Sequence, residues 1–337
     1  MKYIMLLSLS ALFFLSACKP KTVAEPIGDS VTYACPMKCE GEKVYHEAGK
    51  CPVCGMDLVP LDPAATAVTY RMNLLVSPNP AQAGQMANLS FTPKIAGNET
   101  ASVPLDEVHE KKMHIIIVSS DLGWYDHIHP EYQADGSYLI AEKFPAGGDY
   151  IIFADYVPTG STTQVERITL KVSGEPKKAE QFTSETLSTT TDGYAVKLVP
   201  TGGKFVTNNM NHLGVDITEK GKPVTNFENI MGAKGHLVII SGDGQKYLHV
   251  HPDEVEGKLD LHAQFDQPGI YRAYFQFQTN GKLHTSYFTI DVKEASAGEL
   301  QSDHGHDHQE GAQKPKEKSH DHGDGTHEHG DGEKHKH

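Results

Sequence analysis

Four of the five cysteines lie close together near the N-terminal end of the chain, in two short-spaced pairs. Three residues separate Cys35 from Cys39, and two residues separate Cys51 from Cys54. Two such pairs can converge on one ion, because tetrahedral zinc and soft copper ions accept thiolates from two turns of the chain. A segment of about 28 residues buries too little apolar surface to fold alone, so a bound metal would stabilise it. Two disulfides are the alternative in an oxidising compartment.

A histidine pattern that occurs twice supplies the second group of candidate ligands. In each copy, His-x-His-Pro begins thirteen residues after a first histidine; the histidines are His114, His127 and His129 in one copy and His236, His249 and His251 in the other. Residues i and i+2 of a strand share one face, so the two histidines of each His-x-His pair can chelate one ion. His114 joins its pair only if the hairpin loop between them holds an even number of residues. A four-residue loop at 120–123 would meet this condition, a three- or five-residue loop would not, and the second copy poses the same test at 242–245.

The repeated histidines also have a structural interpretation. A histidine can occupy a strand position and hydrogen-bond across the sheet, and gene duplication copies structural residues as faithfully as functional ones. Asp155 and Gln276 occupy matched positions in the two copies and could orient the ligands.

The C-terminal segment 295–337 is the third histidine-rich region, with nine of the twenty histidines from His304 onward. Its candidate auxiliary ligands are His304, His306, His308, His320, His322, His327 and His329. Apolar residues are nearly absent, so we expect a disordered tail. Histidines beside carboxylates bind transition metals weakly, and protonation should weaken that binding as the pH falls through about 6.5.

The segments that must position the repeated histidines have the pattern of β-strands. Short apolar or alternating runs are separated by frequent turn signals, and no long helical period is present. We therefore predict a mainly β protein with two tandem immunoglobulin/cupredoxin-like β-sandwich domains, at 68–173 and 180–293. The small cysteine module, 33–60, precedes them.

The N-terminus resembles a bacterial lipoprotein signal. One basic residue, an apolar run too short to span a bilayer and small residues precede Cys18. This predicts a signal peptide at 1–17, lipidation of Cys18 and a polar tether at 18–32. The expected location is the bacterial cell envelope, with a lipid anchor in the outer membrane rather than the inner one.

Composition narrows the class of function. The formal net charge of −14 and the lack of a basic face argue against nucleic-acid binding. The sequence shows no Gly-rich phosphate loop, no Gly-x-Ser-x-Gly motif and no evident nucleophile–base pair, so we do not expect an enzyme.

The cysteine segment resembles the heavy-metal-binding domain of bacterial envelope proteins, including some adaptor subunits of copper/silver efflux pumps. The resemblance rests on Tyr33, on the Cys-Pro-Met run that begins at Cys35, and on the Cys-Pro-x-Cys-Gly-Met run that begins at Cys51. Where that family has His-Pro, this chain has Lys38 and Cys39. The resemblance therefore implies a site of four sulfur ligands in which Cys39 replaces a histidine.

Three further residues of this segment could assist metal binding. His46 lies in the loop between the cysteine pairs, and Met37 and Met56 offer thioethers that suit Cu(I) but could equally pack as core. Thiols with methionines, together with the resemblance, favour copper, whereas four cysteines alone would suit zinc.

Two functions follow from these observations. The first is a lipid-anchored envelope protein that binds copper or zinc for buffering, delivery or efflux, with a metal-efflux or metal-delivery protein as its partner. The second is an interaction protein in which the cysteine module is a structural metal knuckle and the β domains form a scaffold for an envelope partner.

Overall fold

The computed structural model describes residues 31–36, 43–52, 56–255 and 257–296. Several predicted features lie outside the described residues: the signal peptide, Cys18, Met37, Cys39, Cys54 and the tail histidines from His304 onward. No helix among the described residues is long and apolar enough to cross a membrane.

The cysteine module forms a small antiparallel sheet. Its strands are β1 (Thr32–Ala34), β2 (Val44–Tyr45) and β3 (Val59–Leu61), in the order β2-β1-β3. Between β2 and β3, the Cys51 N–H donates to the Met56 carbonyl and the Leu58 N–H donates to the Gly49 carbonyl, both at 2.8 Å. A short helix, α1 (Pro63–Thr66), follows and is capped by the Asp62 side chain, which accepts from the Ala64 N–H.

The first sandwich domain packs two sheets around one core. Its strands are β4 (Tyr70–Ser77), β5 (Ala81–Gln82), β6 (Met86–Ile95), β7 (Leu105–Asp106), β8 (Met113–Ser119), β9 (Tyr125–Ile128), β10 (Glu131–Tyr132), β11 (Tyr138–Lys143), β12 (Gly148–Pro158) and β13 (Gln164–Ser173). One sheet has the order β10-β11-β6-β4, and the other has β5-β13-β12-β8-β9 with β7 beside β12.

The second sandwich domain follows the same plan. Its strands are β14 (Ser188–Thr191), β15 (Tyr194–Pro200), β16 (Phe205–Val206), β17 (Met210–Glu219), β18 (Lys222–Pro223), β19 (His236–Ser241), β20 (Tyr247–Val250), β21 (Asp253–Val255), β22 (Lys258–Gln264), β23 (Gly269–Thr279) and β24 (Lys282–Lys293). The sheet orders are β14-β15-β17-β22-β21, with β18 beside β17, and β16-β24-β23-β19-β20. The shared strand order bears out the sequence repeat, and the prediction of tandem β-sandwiches is confirmed.

Strands β8 and β19 are buried on both faces, which explains their nearly continuous apolar sequences. Ile115 and Ile117 of β8 point into the core of the first domain, whereas Ile116 and Val118 point out of it. The outward side chains pack against their counterparts on β19 in a third apolar cluster, between the domains.

Two aromatic stacks show that this interface has approximate two-fold symmetry. Tyr125 stacks on Tyr274 with ring centroids 4.3 Å apart, and Tyr247 stacks on Phe153 at 4.8 Å. Tyr125 and Tyr247 occupy matched positions of the repeat, as do Phe153 and Tyr274. The duplicated domains therefore bury the same sheet face against each other, and any residues repeated on that face meet at the interface.

Candidate metal centre

All six repeated histidines lie at this interface, at one end of the third apolar cluster. The register of β8 with β9 pairs Ile115 with Ile128, and the Ser119 N–H donates to the Trp124 carbonyl. The loop between them therefore holds four residues, 120–123, and His114 shares a face with the His-x-His pair. Strands β19 and β20 have the same register around 242–245.

The three histidines of the first copy converge on one point. His114 Nδ1 lies 3.3 Å from His127 Nε2, and His129 Nε2 lies 3.1 Å from each of these atoms. In a tetrahedral site with metal–nitrogen bonds of about 2.0–2.1 Å, neighbouring nitrogens are about 3.3–3.4 Å apart. The first trio (His114, His127 and His129) therefore has the spacing of three corners of such a site.

Hydrogen bonds to backbone carbonyls fix which nitrogen of two histidines can bind a metal. His114 Nε2 lies 3.1 Å from the Val108 carbonyl oxygen, and His236 Nε2 lies 2.8 Å from the Ile230 carbonyl oxygen. A carbonyl oxygen only accepts, so each Nε2 carries the proton and each Nδ1 keeps its lone pair. Both free lone pairs lie on the side of the neighbouring histidines.

Two more histidines are oriented by the opposite domain. His127 Nδ1 lies 3.0 Å from Gln276 Oε1, and His249 Nδ1 lies 3.4 Å from Asp155 Oδ2, which also accepts from the Tyr247 hydroxyl at 3.2 Å. These contacts place the proton of each ring on Nδ1 and leave the lone pair of Nε2 directed into the centre. Each domain thus orients a candidate ligand of its neighbour.

The second trio (His236, His249 and His251) repeats the arrangement. His236 Nδ1 lies 3.1 Å from His249 Nε2, and the candidate ligand atoms of all three residues lie within 4.8 Å of one another. His251 Nε2 is buried and has no hydrogen-bond partner among the described residues. A buried polar atom without a partner is costly, and a cation at this point would satisfy it.

The two trios form one centre rather than two separate sites. The ring centroid of His127 lies 5.3 Å from that of His236 and 5.2 Å from that of His249. The ring centroids of His114 and His249 are 5.3 Å apart. A cavity of about 10 Å³ lies beside them, lined by His114, His249, His251 and Asp155 among others. That is the volume that one water molecule or ion needs.

Burial keeps these imidazoles neutral. Loss of hydration lowers the pKa of His129 and of His236 to about 3, and it lowers the pKa of His127, His249 and His251 well below the usual value, with repulsion from the neighbouring rings as a further cause. Near pH 7 the contact between His249 and Asp155 is therefore a hydrogen bond rather than an ion pair. No proton has to leave before a metal ion binds.

This donor set fits a transition-metal ion. In the metal-free first trio, His114 Nδ1 and His127 Nε2 direct lone pairs at each other across 3.3 Å, because both protons are held elsewhere. A cation at the point of convergence turns this repulsion into attraction. Imidazole nitrogens suit copper and zinc alike. The sequence predicted two candidate histidine sets but not that they would merge, because the merger depends on how the domains pack.

The described cysteines of the module are core residues. Cys35 and Cys51 are 4% and 1% exposed and form a small cluster with Leu58. His46 is exposed, whereas Met56 is half-buried and faces the sandwich domains across a cleft. The positions of Cys39 and Cys54, which the proposed four-sulfur site requires, lie outside the described residues.

The structure also places candidate ligands that the sequence reasoning missed. The ring of His109 lies against His251, with centroids 3.6 Å apart, but His109 has no sequence repeat to mark it. On the outer sheet of the second domain, His212 and His262 face each other across β17 and β22, and Asp260 lies 3.6 Å from His262. The alternation of Asp260 and His262 along β22 was the available signal for that surface group.

Known protein families match both the sandwich domains and the cysteine module. A profile of a domain of unknown function (DUF8832) matches residues 65–174 and again 189–294, which together make up more than half of the chain. The chain belongs to this family. The profile of the heavy metal binding domain matches residues 32–61, so the cysteine module is a heavy-metal-binding module, as its motif predicted. No curated protein sequence matches the chain.

Solved structures resemble the chain only distantly. The Escherichia coli adhesin FdeC is 14% identical, with a TM-score of 0.23, over 71% of this chain and 70% of that one. Trypsin-activated alpha-2-macroglobulin from Escherichia coli is 12% identical, with a TM-score of 0.23, over 72% of this chain and 17% of that one. The Yersinia pseudotuberculosis adhesin InvE is 9% identical, with a TM-score of 0.20, over 66% and 59%. Similarity at this level indicates neither a shared function nor a shared domain arrangement.

Proposed function

We propose that this protein binds transition-metal ions in the bacterial cell envelope, at the heavy-metal-binding module and at the interdomain histidine centre. The observation that carries the proposal is the first trio, whose three nitrogens lie 3.1–3.3 Å apart in a buried and neutral environment. Structural histidines do not need to direct their lone pairs at one point. The hydrogen bonds that His127 and His249 donate to Gln276 and Asp155 hold the rings in the orientation that metal binding requires.

Copper is the favoured ion. The centre offers six neutral imidazoles beside the Asp155 carboxyl group, whose pKa is raised by burial. Each buried divalent ion would bring one more positive charge into the centre than Cu(I) does, and uncompensated buried charge is costly. The thiols and methionines of the module favour copper as well, and zinc is the second choice.

The proposed cellular role is buffering, delivery or efflux of the metal by a lipid-anchored, non-enzymatic protein. Lipidation of Cys18 and the outer-membrane location rest on the lipobox-like N-terminus. A metal-efflux or metal-delivery protein is the proposed partner, because the module resembles those of efflux adaptors. The acidic net charge is consistent with cation handling rather than nucleic-acid binding.

Metal analysis of the lipid-free protein, purified without chelators or affinity metals, tests the binding proposal. We expect chain 18–298, which lacks the histidine-rich tail, to retain tightly bound metal at the centre. The double variants His127→Gln/His129→Gln and His249→Gln/His251→Gln should each lose part of it. His284→Gln is the matched control, because this buried histidine bonds Asp192 instead of the centre. Equal metal content in all three variants and the parent would eliminate the centre.

The burial of Cys35 and Cys51 supports a second candidate function, in which the module is a structural knuckle and the sandwiches are a scaffold for an envelope partner. The variant Cys35→Ser distinguishes this scaffold function from metal handling by the module. If it unfolds the module while the metal tolerance of the cell is unchanged, the scaffold function is favoured. If metal tolerance falls while the sandwiches stay folded, the module has a metal-handling role.

A further inference from the structure

We propose that the cleft between the cysteine module and the two sandwiches is the entrance through which metal ions reach the histidine centre, and that His109 passes them inward. This inference rests on the proposed function and adds a route to it. The centre needs such a route because His114, His127 and His236 are buried and a metal ion cannot cross apolar packing unaided.

The cleft connects the module to the centre. It has a volume of about 670 Å³, and its walls come from all three parts of the chain, including Pro36 and Met56 of the module. Pro36 directly follows Cys35, and Met56 ends the Cys-Pro-x-Cys-Gly-Met run. At the other side of the same cleft lie His109 and His251. An ion released by the module into this cleft is therefore close to His109 and His251.

The charge of the cleft favours cations. Its lining includes five carboxylates, those of Asp57, Asp106, Glu107, Asp253 and Glu254, but only two lysines. Both lysines already face carboxylates, with Lys50 2.9 Å from Asp57 and Lys234 4.0 Å from Glu254. A cleft lined by one sign of charge raises the local concentration of the opposite ion and its rate of arrival.

His109 borders both the cleft and the centre, and the trio ligand His251 does the same. His109 lines both the cleft and the 10 Å³ cavity that borders His114, His249 and Asp155. Its Nε2 is buried and has no hydrogen-bond partner among the described residues, although the ring lies 3.6 Å from that of His251. An imidazole held in contact with a trio ligand, with an unused nitrogen, can bind an incoming ion and release it to the neighbouring ring.

The backbone holds His109 in this position at a cost. His109 and Glu110 have φ angles of 51° and 62°, in the left-handed region that residues with a side chain seldom adopt. The carbonyl of the preceding Val108 accepts from His114 Nε2, so the same turn orients a trio ligand. At the matched turn of the second domain, Met231 takes the place of His109, with a φ of 48°. Both turns line the cleft, so the histidine is present in only one of two matched walls.

Stopped-flow loading of the full chain with Co²⁺ tests the route. The d–d bands of nitrogen-ligated Co²⁺ lie at shorter visible wavelengths than those of thiolate-ligated Co²⁺ and report the centre, whereas sulfur-to-cobalt charge-transfer bands in the near ultraviolet report the module. His109→Gln should slow the loading of the centre at least tenfold while the equilibrium Kd changes less than threefold, because a transfer ligand speeds entry and exit alike. His284→Gln, which changes a buried histidine away from the cleft, should load at the parent rate.

Variants of the cleft carboxylates test the route even if His109→Gln disturbs the folding of the protein. Glu107→Gln/Asp253→Asn should slow loading severalfold at low ionic strength, and the difference should vanish near 0.5 M salt because screening removes steering. The exposed Glu131→Gln is the matched control. Loading of His109→Gln within twofold of the parent rate, or a weakened Kd caused by faster release alone, would overturn the route. If no nitrogen-ligand spectrum develops in the parent, the metal centre itself is refuted instead.

Discussion

The crossed hydrogen bonds of the centre lead to a prediction that separates a metal site from a structural histidine cluster. Replacing Gln276, in the second domain, should weaken metal binding by the trio of the first domain. Gln276→Met keeps the length and volume of the side chain but removes the acceptor that lies 3.0 Å from His127 Nδ1. His127 would then be free to rotate or to adopt the other tautomer.

The magnitude follows from the nature of this contact. Losing a partner that orients a metal-binding histidine costs about 10–100-fold in affinity. For Gln276→Met we expect a loss of metal affinity of about tenfold, the lower end of that range, because the acceptor is a neutral amide. The free energy of unfolding of the metal-free protein should fall by about 1–3 kcal/mol, since the Nδ1–H of His127 is left buried and unsatisfied. Asp155→Asn removes a carboxylate and should cost the second trio about 100-fold.

Competition for Cu(I) against a chromophoric chelator measures each effect. The background His249→Gln/His251→Gln isolates the first trio, and Gln276→Met is then compared with Gln278→Met. Gln278 lies two residues further along β23 but bonds Glu228 instead of a histidine. Equal affinities for the two methionine variants would refute the crossed orientation of the ligands. A loss of affinity seen only in the complementary background His127→Gln/His129→Gln, which isolates the second trio, would refute it as well.

Three further predictions concern stability. The metal-free protein should lose stability as the pH falls from about 6.5 towards 3, because the unfolded chain binds protons that the folded chain excludes. Each histidine such as His129 or His236 should contribute a loss of about 1 kcal/mol per pH unit. Urea unfolding at pH 7.5 and 5.0 measures this loss, and equal midpoints would contradict it. Ile240→Ala, at a fully buried position between the domains, should cost about 2–5 kcal/mol in chemical denaturation, whereas Leu75→Ala at an exposed position should cost little. Cys35→Ser should unfold the module and leave the strands of both sandwiches intact in circular dichroism and limited proteolysis, and loss of the sandwich strands would show that the parts do not fold separately.

Local patterns made the fold and much of the candidate site predictable. Alternating apolar runs with turn signals indicate strands, and the resulting tandem β-sandwiches are confirmed. The position of His114 beside His129 depends on hairpin geometry alone, so the sequence analysis could state it as a condition on loop length, which the four-residue loop meets. The cysteine motif was specific enough to indicate the heavy-metal-binding module before any comparison.

Contacts between distant parts of the chain could not be predicted in the same way. His109 lacks a repeat, and its place beside His251 depends on a left-handed turn and on the packing of two domains. The roles of Asp155 and Gln276 as orienting residues were suggested by their matched positions, but the opposite trio that each one serves was not.

The ligand types and the duplication can be read directly from the sequence. The sharing of one face by each His-x-His pair can be predicted as well, because side-chain direction along a strand has a period of two residues. The joining of two sets of three histidines into one centre, in contrast, depends on how the two domains pack. The apolar faces of β8 and β19 bury each other, and this packing brings residues more than a hundred positions apart within hydrogen-bond distance. It also excludes water, which is why the imidazoles are neutral and why their chemistry differs from that of the same residues in an exposed segment.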